Sequence, residues 1–142
     1  MMRFVLPLLL LTACGSPQRQ TVADRPIGDV QNDRILCVTD AMLATGGSDT
    51  VRFGRLRSGE IAVVPLWIGN ATDRPIVPAD YATSCGCTSL EFDSQPIRPG
   101  EARRMTVTFD ARGEWGWQFR AVDLQLAGAG HPLRLFVEAD VE

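Results

Sequence analysis

Two runs near the C-terminal end of the chain constrain the fold most. Ala102–Phe109 places Met105, Val107 and Phe109 on one parity and Arg104, Thr106 and Thr108 on the other. Leu133, Leu135, Val137, Ala139 and Val141 repeat the same alternation. A period of two is the pattern of a half-buried antiparallel strand, and a helix cannot present it as one apolar face. Upstream, Val51-Arg52-Phe53 reads as a short strand ending at Gly54, and Ile61–Ile68 as a central strand in which Pro65 marks a bulge. Trp117–Leu126 begins with Trp117, Phe119 and Ala121 in phase and then changes parity to Val122, Leu124 and Leu126. A one-residue slip turns every side chain over, so a bulge is predicted near Ala121. Ile35–Val38 is a short strand or the edge of the domain.

Turn signals separate these runs at Ser58-Gly59-Glu60, Gly69–Asp73, Pro96–Glu101 and Ala127–Pro132. Asn70-Ala71-Thr72 matches a glycosylation acceptor but is read as part of a turn. No stretch reads as an amphipathic helix of useful length. About seven short strands over some hundred residues predict an all-β domain, an immunoglobulin-like β-sandwich spanning 34–142.

The N-terminal stretch is of a different kind. Residues 1–13 carry Arg3 and then an apolar run, Phe4–Leu11, of signal-peptide size. Eight helical residues reach ~12 Å, well short of the ~30 Å of a membrane core. Leu11-Thr12-Ala13-Cys14 resembles a bacterial lipobox, which implies a signal peptide over 1–13 and a diacylglycerol thioether with an acylated amine on Cys14. Gly15, rather than an aspartate, implies sorting to the outer membrane, facing the periplasm. Residues 14–33 are polar and aperiodic and are expected to form a flexible tether. Loss of the leader removes Arg3 and no acid, so the mature count of arginines and acids is 13 − 17 = −4. With every basic residue an arginine and no basic surplus, nucleic acid is not an expected partner.

Four cysteines remain to be placed: Cys14, Cys37, Cys85 and Cys87. On a flat strand Cys85 and Cys87 would face one side with Cα atoms ~6.6 Å apart, a poor fit to a disulfide unless Gly86 takes a positive φ and kinks the chain. Three readings stand. The sulfurs are structural, bridged or not, or one pairs with Cys37. They form a labile pair that exchanges with a partner protein. Or they hold a soft metal such as Cu(I) or zinc together with Cys37. With Cys14 acylated, an odd number of thiols leaves at least one free or intermolecular.

Trp115-Gly116-Trp117 sets two indoles beside a glycine. They are either a stacking platform for a sugar or peptide, or a strand start that covers one end of the sandwich. His131 has no nucleophile motif near it, and Glu91, Asp93, Glu101 and Asp110 flank turns without pairing. Phosphate loops, zinc-protease helices and dinucleotide fingerprints are missing from the sequence. No cofactor and no small-molecule substrate is expected.

Gly69-Asn70, Arg74-Pro75-Ile76, Ser84-Cys85-Gly86-Cys87-Thr88, Pro96–Glu101, Val107–Asp110 and Gly116, in that order, resemble domain-of-unknown-function family 1573. The resemblance covers about Val51 to Val141. It implies an immunoglobulin-like fold similar to major sperm protein and Hydin-type domains, in exported proteins and lipoproteins of diderm bacteria. It implies no activity. The chain departs from the family pattern at Gln118, where an aromatic is expected, and at Ala127-Gly128, where the pattern has Ser-Asn; Cys37 is additional. Together these readings describe a non-enzymatic lipoprotein, held to the outer membrane through Cys14, whose domain binds a protein partner in the envelope. The alternative is a thiol-redox or soft-metal-handling protein acting through Cys85 and Cys87.

Overall fold

The computed structural model describes residues 23–30 and 34–142. The expected signal peptide (1–13), the lipidated Cys14 and the first part of the tether lie outside the described residues. The elements are β1 (Arg25–Pro26), β2 (Ile35–Val38), α1 (Asp40–Thr45), β3 (Gly47–Leu56), β4 (Ile61–Asn70), β5 (Pro78–Thr83), β6 (Thr88–Glu91), β7 (Glu101–Asp110), β8 (Gly116–Leu126) and β9 (Leu133–Val141). They form two sheets. One runs β1-β7-β4-β2, with β6 also paired to β7; the other runs β3-β9-β8-β5. The core lies between them and is filled by Val38, Leu66, Ile68, Phe109, Leu124 and Leu135 among others. Two stacked sheets burying one face each are the sandwich that the alternating runs require.

Nine strands are present among the described residues, two more than the sequence suggests. β1 and β6 have two and four residues, too few to display a period. Asp40–Thr45 form a six-residue helix capped by Thr39, whose hydroxyl accepts from Met42 N–H (3.4 Å). Both outer strands that run parallel, β2 on β4 and β3 on β9, are reached by connections that cross between layers.

Three local expectations need correction. β3 does not end at Gly54: it runs on to Leu56 through a register shift between Arg52 and Gly54, where Gly54 takes φ 75°. The glycine serves a bulge rather than a turn. Pro65 marks no bulge, because β4 pairs with β7 in unbroken register from Ile61 to Gly69. Trp67 N–H donates to Arg34 O on the β2 side (2.8 Å), so the nitrogen of Pro65, two residues back, faces the same edge below the point where β2 begins. No ladder bond is lost there. Nor is there a bulge at Ala121, since β8 pairs continuously with β9 from Gly116 to Leu124. The parity change has another cause: Trp117 and Phe119 face outward and are exposed, while Gln118 occupies the inward position.

Part of the expected tether is docked on the domain. Arg25 and Pro26 pair with Ala102 and Glu101, and Ile27 N–H donates to Gly100 O (2.9 Å). Asp24 grips Arg103 through two charge-assisted bonds, Nε–Oδ1 at 2.6 Å and Nη2–Oδ2 at 2.7 Å. Arg103 is only 5% exposed, and its remaining donors reach the carbonyls of Gln95 and Pro96. The hydrogen bonds that Arg103 donates to Asp24 raise the guanidinium pKa further, and burial opposes this. Beside this lies Asn70, fully buried. Its Nδ2 donates to Arg74 O (2.7 Å) and Ile97 O (2.8 Å), while its Oδ1 accepts from Thr72 N–H (2.9 Å). The sequence turn at Gly69–Asp73 is thus held by an asparagine whose side chain is hydrogen-bonded on both its oxygen and its nitrogen.

Candidate functional site

The stretch Thr83–Thr88 is the crossover between the layers: β5 ends at Thr83 in one sheet and β6 starts at Thr88 in the other. Its hydroxyls tie the corner. Thr83 Oγ1 donates to Cys85 O (2.7 Å), and the Thr83 and Thr88 hydroxyls lie 2.5 Å apart. Thr88 N–H donates to Cys85 O (3.2 Å), which makes Cys85–Thr88 a tight turn rather than a flat strand. That turn brings the Cα atoms of Cys85 and Cys87 to 5.1 Å, and the two sulfurs are bridged. Gly86 is not among the glycines with positive φ, so the corner closes without the expected kink. Cys87 N–H donates to the Cys85 sulfur (3.0 Å), and Cys87 O accepts from Asp110 N–H (2.7 Å).

Cys37 takes no part. It lies in β2 level with Gly69, whereas Cys87 is bonded to Asp110, which pairs with Ile61. Eight residues of β4 separate those levels, roughly 26 Å at strand rise. A bridge to Cys37, and a metal set that includes it, are therefore corrected: Cys37 is a free, half-buried thiol on its own edge. The neighbour of the bridge is instead Glu114, whose carboxylate lies within 4.8 Å of both sulfurs. Glu114 also accepts from Arg120 Nη2 (3.3 Å). A bridged pair has no thiolate to offer, so these three residues become a donor set for a cation only after two-electron reduction. Glu114 carried no sequence signal, because it approaches the sulfurs through the turn at 111–115.

That same turn delivers the indoles. Gly116 takes φ 72°, which separates Trp115, still in the loop, from Trp117 in β8. Trp115 is 69% exposed and Trp117 64%, so neither covers the end of the sandwich, contrary to one of the two readings. Trp117 stacks on Phe119 (centroids 5.4 Å, planes at 10°), and Phe119 on Phe136 of β9 (5.0 Å, 15°). Gln118 faces the opposite way and is buried, its Nε2 donating to Trp115 O (2.6 Å) and its Oε1 accepting from Arg120 Nη2 (2.5 Å). The inward polar pair Gln118 and Arg120 is what pushes the apolar surface to the outer face of this half-strand.

Elsewhere the described surface offers little chemistry. A depression of about 380 Å³ between α1 and the 126–129 turn is lined by Asp40, Leu43, Arg74 and Leu126, with no histidine, serine or cysteine. His131 is exposed. Asp110 is held well below the usual carboxylate range, at about 2, by its hydrogen bonds to Arg112, and Asp123 is lowered in the same way by Arg134. The first is an ion pair at the end of β7 and the second a cross-strand ion pair between β8 and β9, and neither brings two carboxylates together. No helix of the described residues is long and apolar enough to cross a membrane.

Among solved structures the chain is similar to a protein of unknown function from Porphyromonas gingivalis W83 (TM-score 0.54, 20% identity, 66% of this chain and 44% of that one). It is also similar to the Vibrio cholerae VesB protease (TM-score 0.51, 15% identity, 67% and 30%). The secreted serine protease VesC from Vibrio cholerae aligns with TM-score 0.50 at 9% identity over 63% of this chain and 21% of that one. At these identities the likeness concerns the fold alone, and the chain spans less than half the length of each. No match is found among curated proteins. A family model, "Protein of unknown function (DUF1573)", matches residues 45–141, from the end of α1 through the sulfur corner and the indoles to the end of β9. The chain belongs to the DUF1573 family.

Proposed function

We propose that this chain is a non-enzymatic protein of the cell envelope, held to the outer membrane through Cys14 and facing the periplasm, whose domain binds another protein. The observation that carries the reading is the cluster of exposed rings at one end of the sandwich. Trp115, Trp117 and Phe119 stand in water beside a corner that the Cys85–Cys87 bridge fastens. Exposed aromatic residues on a rigid support are the material of protein contact sites. The sulfur pair is read here as a clamp on the crossover, and no observation favours an exchanging or metal-holding pair over that.

A photo-reactive amino acid at position 117, compared with one at Glu91 on the exposed side of β6, tests the contact in living cells. Discrete adducts from 117 and none from 91 are expected; equal labelling from both positions would remove the reading. Incorporation of labelled palmitate, lost in Cys14→Ala, tests the anchor separately.

A further inference from the structure

We propose that the first half of β8 accepts an extended segment of a partner polypeptide as an added strand. The proposal rests on the protein-binding reading above and names the form of the partner. β5 pairs with β8 only from Leu126 back to Val122. One residue further, Ser84 N–H donates to Ala121 O (3.0 Å) and Ala121 N–H donates to the Ser84 hydroxyl (3.0 Å). The chain then turns into Cys85 and leaves for the other sheet. Ala121 therefore directs both backbone groups toward the β5 side. Backbone direction repeats at every second residue of a strand, so Phe119 and Trp117 direct theirs the same way, into the space β5 has vacated. Gly116, Gln118 and Arg120 are the residues that serve the ladder to β9.

Among the described residues no strand lies beside 116–120 on that side. Phe119 O accepts from Arg120 Nη1 (3.1 Å). Among the described residues, Trp117 N–H, Trp117 C=O and Phe119 N–H make no hydrogen bond, in the row that an extended backbone satisfies. The side chains of the same two residues, Trp117 and Phe119, stand on the outer face, ready to cover alternate apolar residues of the incoming strand.

The uncovered edges of β3 and β4 are guarded. β3 carries a bulge at Arg52–Gly54 and the charges of Asp49, Arg52 and Arg55. The half of β4 below β2 exposes Ile61 and Val63, but Pro65 removes a donor from that edge. Bulges, charges and proline are the usual means by which edges refuse a partner. The first half of β8 has no bulge and no proline, and its one charge on the open side is the Arg120 guanidinium on Phe119 O, which leaves the groups of Trp117 and the Phe119 N–H uncapped.

The test uses the full chain in detergent and a displayed library of random twelve-residue peptides. Selected peptides are added to labelled protein, and amide exchange is followed by NMR. Exchange at Trp117 and Phe119 is expected to slow by about tenfold or more, with Val63 unchanged, and Phe119→Pro to bind about tenfold more weakly than Phe119→Ala, since only the proline also removes the outward donor. Should Phe119→Pro fail to fold, the wild-type protection pattern decides alone. Equal binding by the two variants, protection at Val63 instead, or a library that yields no binder would overturn the proposal. So would protection of Trp117 and Phe119 without peptide that rises with protein concentration, which would make the occupant a second copy of this chain. Peptides that quench the indoles while leaving both amides unprotected overturn the added strand but leave protein binding standing; absence of in-cell adducts at position 117 counts against that reading itself.

Discussion

At one end of the sandwich Asn70, Thr72, Arg103 and Asp24 sit beneath the turns, each polar group bonded to a neighbour. At the other end Trp115, Trp117 and Phe119 stand exposed, and backbone groups of β8 face open space. Both ends contain a tight corner rich in glycine and threonine. They differ in where the polar groups point. At the closed end the polar groups point inward and must find partners, so the structure there is over-determined. At the open end Gln118 and Arg120 take the inward positions, and the apolar groups are left outside. Burial therefore ties stability to the first end and leaves the second free to change.

The sharpest way to break this contrast is at Asn70. Asn70→Ala leaves the buried Thr72 N–H without a partner and takes one of two donors from each of the carbonyls of Arg74 and Ile97, which keep the Thr72 hydroxyl and Ile76 N–H, and should cost about 3 kcal/mol by urea unfolding. A loss under about 1 kcal/mol would mean the closed end is not what holds the fold. Asp24→Asn comes next. Arg103 stays buried with its carbonyl partners but loses its counter-charge, for roughly 2 kcal/mol, and residues 24–27 should become open to proteolysis. Protease resistance equal to the parent would show that this segment is held by β1 pairing alone.

At the open end, Cys85→Ser with Cys87→Ser opens a ring only two residues apart in sequence. Loop entropy for so short a ring is about 1.5 kcal/mol, and the Thr83–Thr88 hydroxyl contacts should keep the corner closed in the unbridged protein. Collapse of the fold on this change would make the bridge a foundation rather than a clamp. A smaller effect concerns acid. The folded pKa of Asp110 is depressed to about 2, and that of Asp123 is also lowered. The contribution of Asp110 is complete above the unfolded carboxylate value near 4 and is lost as pH falls from there toward 2, and that of Asp123 is lost in the same direction. Asp110→Asn should flatten part of that acid limb in a pH series of unfolding midpoints.

How much of this was legible in sequence follows from what each residue faces. β7 and β9 were readable to within a residue because one side of each meets the core and the other meets water. β8 was misread as bulged for the converse reason. Parity identifies the inner face only where outer positions are polar, and Trp117 and Phe119 are apolar and outside. The sulfur corner was visible as a motif, yet Glu114 and the distance to Cys37 depend on which strands lie together. No local pattern encodes that. Asn70 looked like any turn residue, since its burial is produced by the Pro96–Gly100 loop folding over it from 27 residues away.

The most direct measurement pairs stability with capture for one variant, Trp117→Ser with Phe119→Ser. An unfolding free energy within about 0.5 kcal/mol of the parent is expected, together with loss of the envelope adducts formed from a photo-reactive residue at position 115. Adducts that persist, or a fold that fails when these two rings are removed, would contradict this expectation.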